Sequence, residues 1–259
     1  MSLNERLGPA PSSGRRAGRV LVVLLVGMIG IGGIAAVAIL RGPKLVSGQG
    51  SAGAPLRPTA SAGRPALAAI NLQPSEMTGW NVTPHHQSQQ PAGDTAADRQ
   101  LLHCLGLGQL ARHQVATTHS PDYALGDMQA TSSVTRYRSH RDVKAEIAAF
   151  HKPKAQRCVA TSWRKEAPKI PLPAGVHLAR ADATLSPAPR HAPRNVAGVL
   201  RATLAVEGNG RQLDVYITDT LTFGRRIDAD VTVSTTGTPV SPQVQATLVN
   251  RVATRAGQF

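Results

Sequence analysis

Large rings are scarce in this chain. Its 259 residues include three Phe, three Tyr and two Trp, and all eight lie beyond residue 79. A core built on them therefore belongs to the C-terminal three quarters. Cysteine is nearly absent, with only Cys104 and Cys158, so no C-x-x-C pair exists to hold a zinc ion. Acidic residues number 15 against 29 Lys and Arg, which leaves a formal charge of +14. Charged residues reach only 17 % while hydrophobic ones reach 41 %, a balance that excludes both a wholly disordered chain and a coiled coil. No Gly-rich loop stands between a strand and a helix to cradle phosphate, and no G-x-S-x-G elbow is found.

What the N-terminus has instead is one long apolar run. Val20 to Leu40 is 21 residues without a charge, and a helix of that length crosses a hydrocarbon core of about 30 Å. Arg6, Arg15, Arg16 and Arg19 precede it with only Glu5 opposing, while Arg41 and Lys44 follow. That asymmetry predicts a cytoplasmic tail over 1–19, a single membrane-spanning helix over 20–40, and an extracytoplasmic remainder. Ala36-Val37-Ala38 also fits a signal-peptidase site, so secretion after cleavage is the competing reading, but the run is longer than the usual h-region of about 7–15 residues. Residues 41–69 are mostly Gly, Ser, Ala and Pro and read as a flexible linker.

The remainder, 70–259, reads as one α+β domain in which helices pack an antiparallel sheet. Helical spacing runs from Asp94 to Leu105 and again from Arg141 to Phe150, where Ser139 and Asp142 stand at cap spacing. Pro153 interrupts the second of these, and a further helix is expected over Ala155–Glu166. One strand is expected over Gln129–Arg138. Then the period changes to two: Val176–Leu185, Val196–Val206, Leu213–Phe223 and Ile227–Ser234 read as strands, with Asn209-Gly210 inside a five-residue hairpin loop. A closing helix is expected from Pro242 or Gln243 to Arg255.

On this topology Cys104 and Cys158 face an oxidising compartment, which favours a disulfide between them over two inert thiols or a catalytic cysteine. Several short motifs then carry a resemblance. They are Pro74, Ser75, Gly79 and Trp80; Asp98 followed by Cys104-Leu105-Gly106; His119-Ser120-Pro121-Asp122-Tyr123; Ser132-Ser133-Val134 with Tyr137-Arg138-Ser139; and Cys158. Together they resemble a group of actinobacterial membrane-anchored or secreted extracytoplasmic domains. These are similar in outline to mycobacterial lipoproteins with a PsbP-like fold and to the sensor domains of receptor kinases. The resemblance implies a sheet-and-helix domain with one disulfide, and brings no catalytic residues. This chain has neither a lipobox cysteine nor a kinase domain, so neither function transfers.

Nine histidines without ligand spacing do not predict a metal site, and no cofactor is expected. Ser120, His119 and Asp122 are neighbours in sequence, which is not triad geometry; a turn explains them equally well. Asp214, Asp219, Asp228 and Asp230 fall on or beside strands, where they are expected to face water. The segment 141–169 carries eight basic residues against three acidic ones. Outside the cytoplasm its expected partner is an anionic lipid or wall polymer, not nucleic acid, met by Lys152, Lys154, Arg157 and Lys165; a solvated helix face without a partner is the competing reading. The overall expectation is a sensor-like ligand- or partner-binding module of the cell envelope, single-pass and without catalysis. The alternative is an envelope hydrolase or lipid-handling protein with a dispersed site. Mass spectrometry of the mature protein tests the topology: residues 20–40 should be retained, and a mature N-terminus at or near Ile39 refutes the anchor.

Overall fold

The computed structural model describes residues 64–85 and 96–259. The run from Val20 to Leu40 lies outside these residues; among the described ones, no helix is long and apolar enough to cross a membrane. In chain order the elements are helix α1 (Arg64–Ala68), strand β1 (Asn81–Thr83), helix α2 (Ala96–Leu105) and strands β2 (Gln114–His119), β3 (Asp122–Leu125) and β4 (Met128–Tyr137). Helices α3 (His140–Phe150) and α4 (Pro153–Glu166) follow, then strands β5 (Val176–Pro187), β6 (Val196–Gly208), β7 (Arg211–Phe223) and β8 (Ile227–Thr236), and helix α5 (Pro242–Ala256). Described structure thus takes in the end of the stretch whose composition reads as linker, and α1 buries Leu67 there.

All strand pairs are antiparallel, in the order β1-β3-β4-β8-β7-β6-β5, and β2 lies beside β3 on the same edge of β4. Strands β5 to β8 form the expected meander. Strand β8 joins it to the N-terminal strands through β4, with Ser133 opposite Asp230. The hairpin loop is tighter than the spacing suggests. Its strands run to Gly208 and from Arg211, leaving Asn209 and Gly210 as a two-residue turn with φ of 53° and 71°, a pair of positive angles that Asn-Gly tolerates.

Local signals account for the helix starts. Ser139 and Asp142 form a reciprocal cap on α3: each side chain accepts from the other's backbone N–H, at 3.3 and 3.0 Å. Pro153 does not delay α4 but opens it, because a proline at the first position gives up an N–H that has no partner anyway. The disulfide between Cys104 and Cys158 is present, with Cα atoms 5.9 Å apart, and ties α2 to α4. Restricting a loop of 54 residues in the unfolded chain is worth about 4 kcal/mol in the chain-entropy account.

The sheet carries a core on each face. On one, Leu101, Leu105, Val143, Phe150, Val159 and Trp163 of α2, α3 and α4 meet Leu200, Leu204, Ile217, Leu221 and Phe223 of β6 and β7. On the other, Leu248, Val249, Val252 and Ala253 of α5 meet Ala229, Val231 and Val233 of β8. That second face also receives a strap over residues 67–77, which buries Leu67, Ile70, Leu72 and Met77. Arg255 of α5 holds the strap by donating to the carbonyls of Ile70 (3.1 Å) and Asn71 (2.9 Å) and to the Glu76 carboxylate (2.6 Å). Tyr123 adds a bond from its hydroxyl to the Leu72 carbonyl at 2.9 Å.

At the end of β7 the chain passes so close to α5 that a Cβ on Gly224 would press into the Ala256 carbonyl oxygen and the Ile227 side chain. A backbone oxygen cannot rotate away. Gly224→Ala should therefore destabilise the fold by about 1–3 kcal/mol, measured by urea unfolding. Gly108→Ala, which meets open space, should stay within about 0.5 kcal/mol.

Candidate functional site

Strand β8 alternates, IDADVTVSTT, as a strand with one wet face would. All ten of its residues are nevertheless buried. Ile227, Ala229, Val231 and Val233 point to the α5 core, which leaves Asp228, Asp230, Thr232, Ser234 and Thr236 on the face that also bears α2, α3 and α4. The expectation that the strand aspartates face water is therefore corrected for three of the four. Asp219, Asp228 and Asp230 are 0–3 % exposed, and only Asp214 remains partly open. Central position is the reason, since β8 has β4 on one side, β7 on the other, and packing layers above and below.

Helix α3 adds a fourth carboxylate. Its inward face carries Glu146, 0 % exposed, beside Val143 and Phe150. The Tyr137 hydroxyl, also buried, lies 2.9 Å from Glu146 Oε2 and 3.4 Å from Asp228 Oδ2. One phenol has one proton to give, so engaging both acceptors requires a proton on one of the carboxyls. Further along the sheet, Ser133 donates to Asp230 at 3.3 Å and Thr232 donates to Asp219 at 2.9 Å. The four carboxyls thus form a ladder from α3 across β8 to β7. Each keeps one oxygen without a hydrogen-bond partner among the described residues: Glu146 Oε1, Asp228 Oδ1, Asp230 Oδ1 and Asp219 Oδ2.

Burial dominates the acidity of this ladder, because a carboxylate out of water loses its hydration. It pushes Glu146 up to about 8 and Asp230 up to about 7, and it holds Asp219 and Asp228 well above the ordinary carboxylate range. Neighbouring carboxylates raise Glu146, Asp219 and Asp228 further; the hydroxyls of Tyr137, Ser133 and Thr232 and nearby backbone amides only partly offset this. Among the described residues, no cation acts on any of the four. Tyr137 itself is raised well above its usual value by the same burial and by Asp228 and Glu146.

The opposite charge lies on the outside. Every basic residue of 141–169 is exposed, namely Arg141, Lys144, Lys152, Lys154, Arg157, Arg164, Lys165 and Lys169, whereas all three acidic ones, Asp142, Glu146 and Glu166, are buried. Lys152, Lys154 and Arg157 sit together at the start of α4. Lys165 lies on the same outward stripe about 16 Å further along the axis, with its ammonium donating to Gln100 at 3.1 Å. The buried acids are occupied. Asp142 takes the Ser139 cap and His113 at 2.7 Å, contacts that outweigh burial and hold its carboxyl below the usual range, and Glu166 takes Lys169 at 2.7 Å.

Where α3 begins, an open groove of about 680 Å³ adjoins this basic face, lined among others by His103, Leu107, His113, Arg138 and Arg141. Among the described residues no group of three or more His, Cys, Asp or Glu is placed to hold an ion. His85 instead pairs with Asp122 at 2.7 Å and stacks on His119. Ser120 is buried and donates to the Pro121 carbonyl at 2.7 Å while accepting from the Ser132 N–H at 2.9 Å, a turn-forming role.

No protein-family model matches the chain, and no curated protein matches it. Among solved structures, the extracellular domain of PknH from Mycobacterium tuberculosis is weakly similar. The match covers 75 % of this chain and 96 % of that one at 11 % identity, with a TM-score of 0.36.

The ladder fixes the sign of a pH dependence. Its carboxyls bind protons more tightly folded than unfolded, so between about pH 4, the unfolded carboxylate range, and the values of about 7 and 8 reached by Asp230 and Glu146 the folded state holds extra protons. Stability then falls as pH rises through that window, by about 1.4 kcal/mol per pH unit for each proton retained. Unfolding in urea at pH 5 and pH 8 should show the protein more stable at pH 5, and Asp230→Asn should flatten the slope. A stability rising from pH 5 to pH 8 contradicts the ladder's proton content.

Proposed function

We propose that the protein is a membrane-anchored, extracytoplasmic binding module that works without catalysis and meets an anionic surface of the cell envelope through the outward faces of α3 and α4. The observation that carries this reading is the sorting of charge across the two helices. Along 141–169 the eight basic side chains are exposed and the three acidic ones are buried, so apart from Lys169, which pairs with Glu166, the face presents positive charge with nothing of opposite sign beside it from the same segment. A solvated helix face with no partner usually interleaves both signs. The disulfide supports a place outside the cytoplasm, where such bonds persist. The apolar run over 20–40 supplies the anchor in this reading, and the part of the expected linker that precedes α1, 41–63, gives the domain reach.

Groups with strongly shifted pKa values favour a hydrolase when they converge in an open cleft. Here the raised carboxyls are 0–3 % exposed, and none of them lines the groove beside α3. The binding reading is therefore preferred.

Sedimentation with vesicles tests it. Lys152→Gln, Lys154→Gln, Arg157→Gln and Lys165→Gln together should weaken binding to phosphatidylglycerol-containing vesicles, since each basic group near such a surface is worth about 1 kcal/mol. Wild-type binding should fall as salt rises, because screening acts over about 8 Å at physiological ionic strength. Folding, followed by circular dichroism, should be unchanged. Equal binding by the two proteins, or binding indifferent to salt, refutes the surface.

A further inference from the structure

We infer that the Glu146–Asp228–Asp230–Asp219 ladder is a proton-operated latch on helix α3, seating the helix when it holds its protons and releasing it when it loses them. The geometry is specific to that helix. Three of the four carboxyls are fixed on the central strands β7 and β8, and the fourth, Glu146, rides on an 11-residue helix whose other buried anchors are Val143, Ala149, Phe150 and the capping Asp142. Tyr137 Oη is the bridge, 2.9 Å from Glu146 and 3.4 Å from Asp228. While a carboxyl in that pair keeps its proton, the phenol has one group to donate to and one to accept from. When both are ionised, the phenol satisfies only one of two buried negative charges.

The strands that carry the ladder's side chains and their hydrogen-bond donors point the same way. Strand β4 contributes Tyr137 and Ser133, β8 contributes Asp228, Asp230 and Thr232, and β7 contributes Asp219. None of these is a base. The charged residues of α3 other than Glu146 are turned away or taken: Arg141 and Lys144 are exposed, and Asp142 is bonded to Ser139 and His113. On α4 the inward acid, Glu166, is paired with Lys169. Among the described residues, a second negative charge in the ladder therefore meets no counter-charge, and the side that can move is the helix, not the sheet. The weakened acidity of Glu146 and Asp230, whose pKa values burial raises to about 8 and about 7, places the release near and above neutrality. Because α3 bears Arg141 and Lys144, release would also dismantle one edge of the basic face; that consequence rests on the proposed function, while the latch does not.

Hydrogen exchange of the full chain, with labelling times corrected for intrinsic amide chemistry, reads the latch directly. Between pH 5.5 and pH 8.5 the amides of 140–150 should lose protection by about tenfold per pH unit for each proton released, while those of 242–256, on the opposite face, should change far less. Glu146→Gln, which keeps the shape and removes the charge, should hold α3 protected at pH 8.5, and Asp230→Asn should shift the loss to higher pH. Three results overturn the inference. One is parallel loss of protection in α3 and α5. Another is a wild-type pH response in both variants. The third is recovery of α3 protection at pH 8.5 by millimolar calcium in wild type but not in Glu146→Gln, which would make the ladder a cation site. Vesicle binding enters none of these readouts, so the latch and the binding surface stand or fall separately.

Discussion

The structure depends on how strand β8 tolerates burial on both of its faces while one face is made of carboxyl and hydroxyl groups. A buried carboxylate without a cation is among the more expensive things a fold can contain. The molecule meets that constraint by protonation and by hydroxyl donors drawn from the neighbouring strands, with Ser133 beside Asp230, Thr232 beside Asp219 and Tyr137 between Asp228 and Glu146. The register follows from it. Moving β4 by one residue against β8 would put Ser132 or Val134 opposite Asp230 in place of Ser133 and turn Tyr137 to the other side of the sheet. An apolar β8 would pair as well but would fix the alignment less sharply.

Much of the architecture was legible along the chain, for physical reasons that are local. Period-two runs announced β5 to β8, Asn209-Gly210 announced the hairpin, and Ser139 with Asp142 announced the start of α3. The disulfide followed from compartment. Strands β1, β2 and β3 were not read, because they are short and their stability comes from pairing with β4 instead of from their own pattern. The acidic ladder was missed for a related reason. Alternation in IDADVTVSTT identifies a strand with two unlike faces, but what covers the polar face is decided by helices about 80 residues earlier in the chain. The available signal was Asp-Ala-Asp in the last strand of a four-strand run, where both neighbours are long; an acidic pair there is unusual enough to suspect burial.

The two kinds of charge in the helical layer belong to one arrangement. Burying Asp142, Glu146 and Glu166 removes from the surface the acids that would have balanced Arg141, Lys144 and the lysines and arginines of α4. The acidic interior and the basic exterior are thus two faces of the same helices, about one helix diameter apart. An external anion approaching α3 and α4 meets cations first, and the protons held beneath are shielded from it by the helix itself.

The strap held by α5 bears on the order of assembly. Ile70, Asn71 and Glu76 are gripped by Arg255, a residue within five positions of the C-terminus and about 180 residues away in sequence. A chain is made from its N-terminus onward. The earliest part of the domain to emerge therefore waits, unpaired, for the last. The second core closes only once α5 has formed, and a protein truncated before α5 would leave Ile70, Leu72 and Met77 uncovered, where proteases have easy access to them.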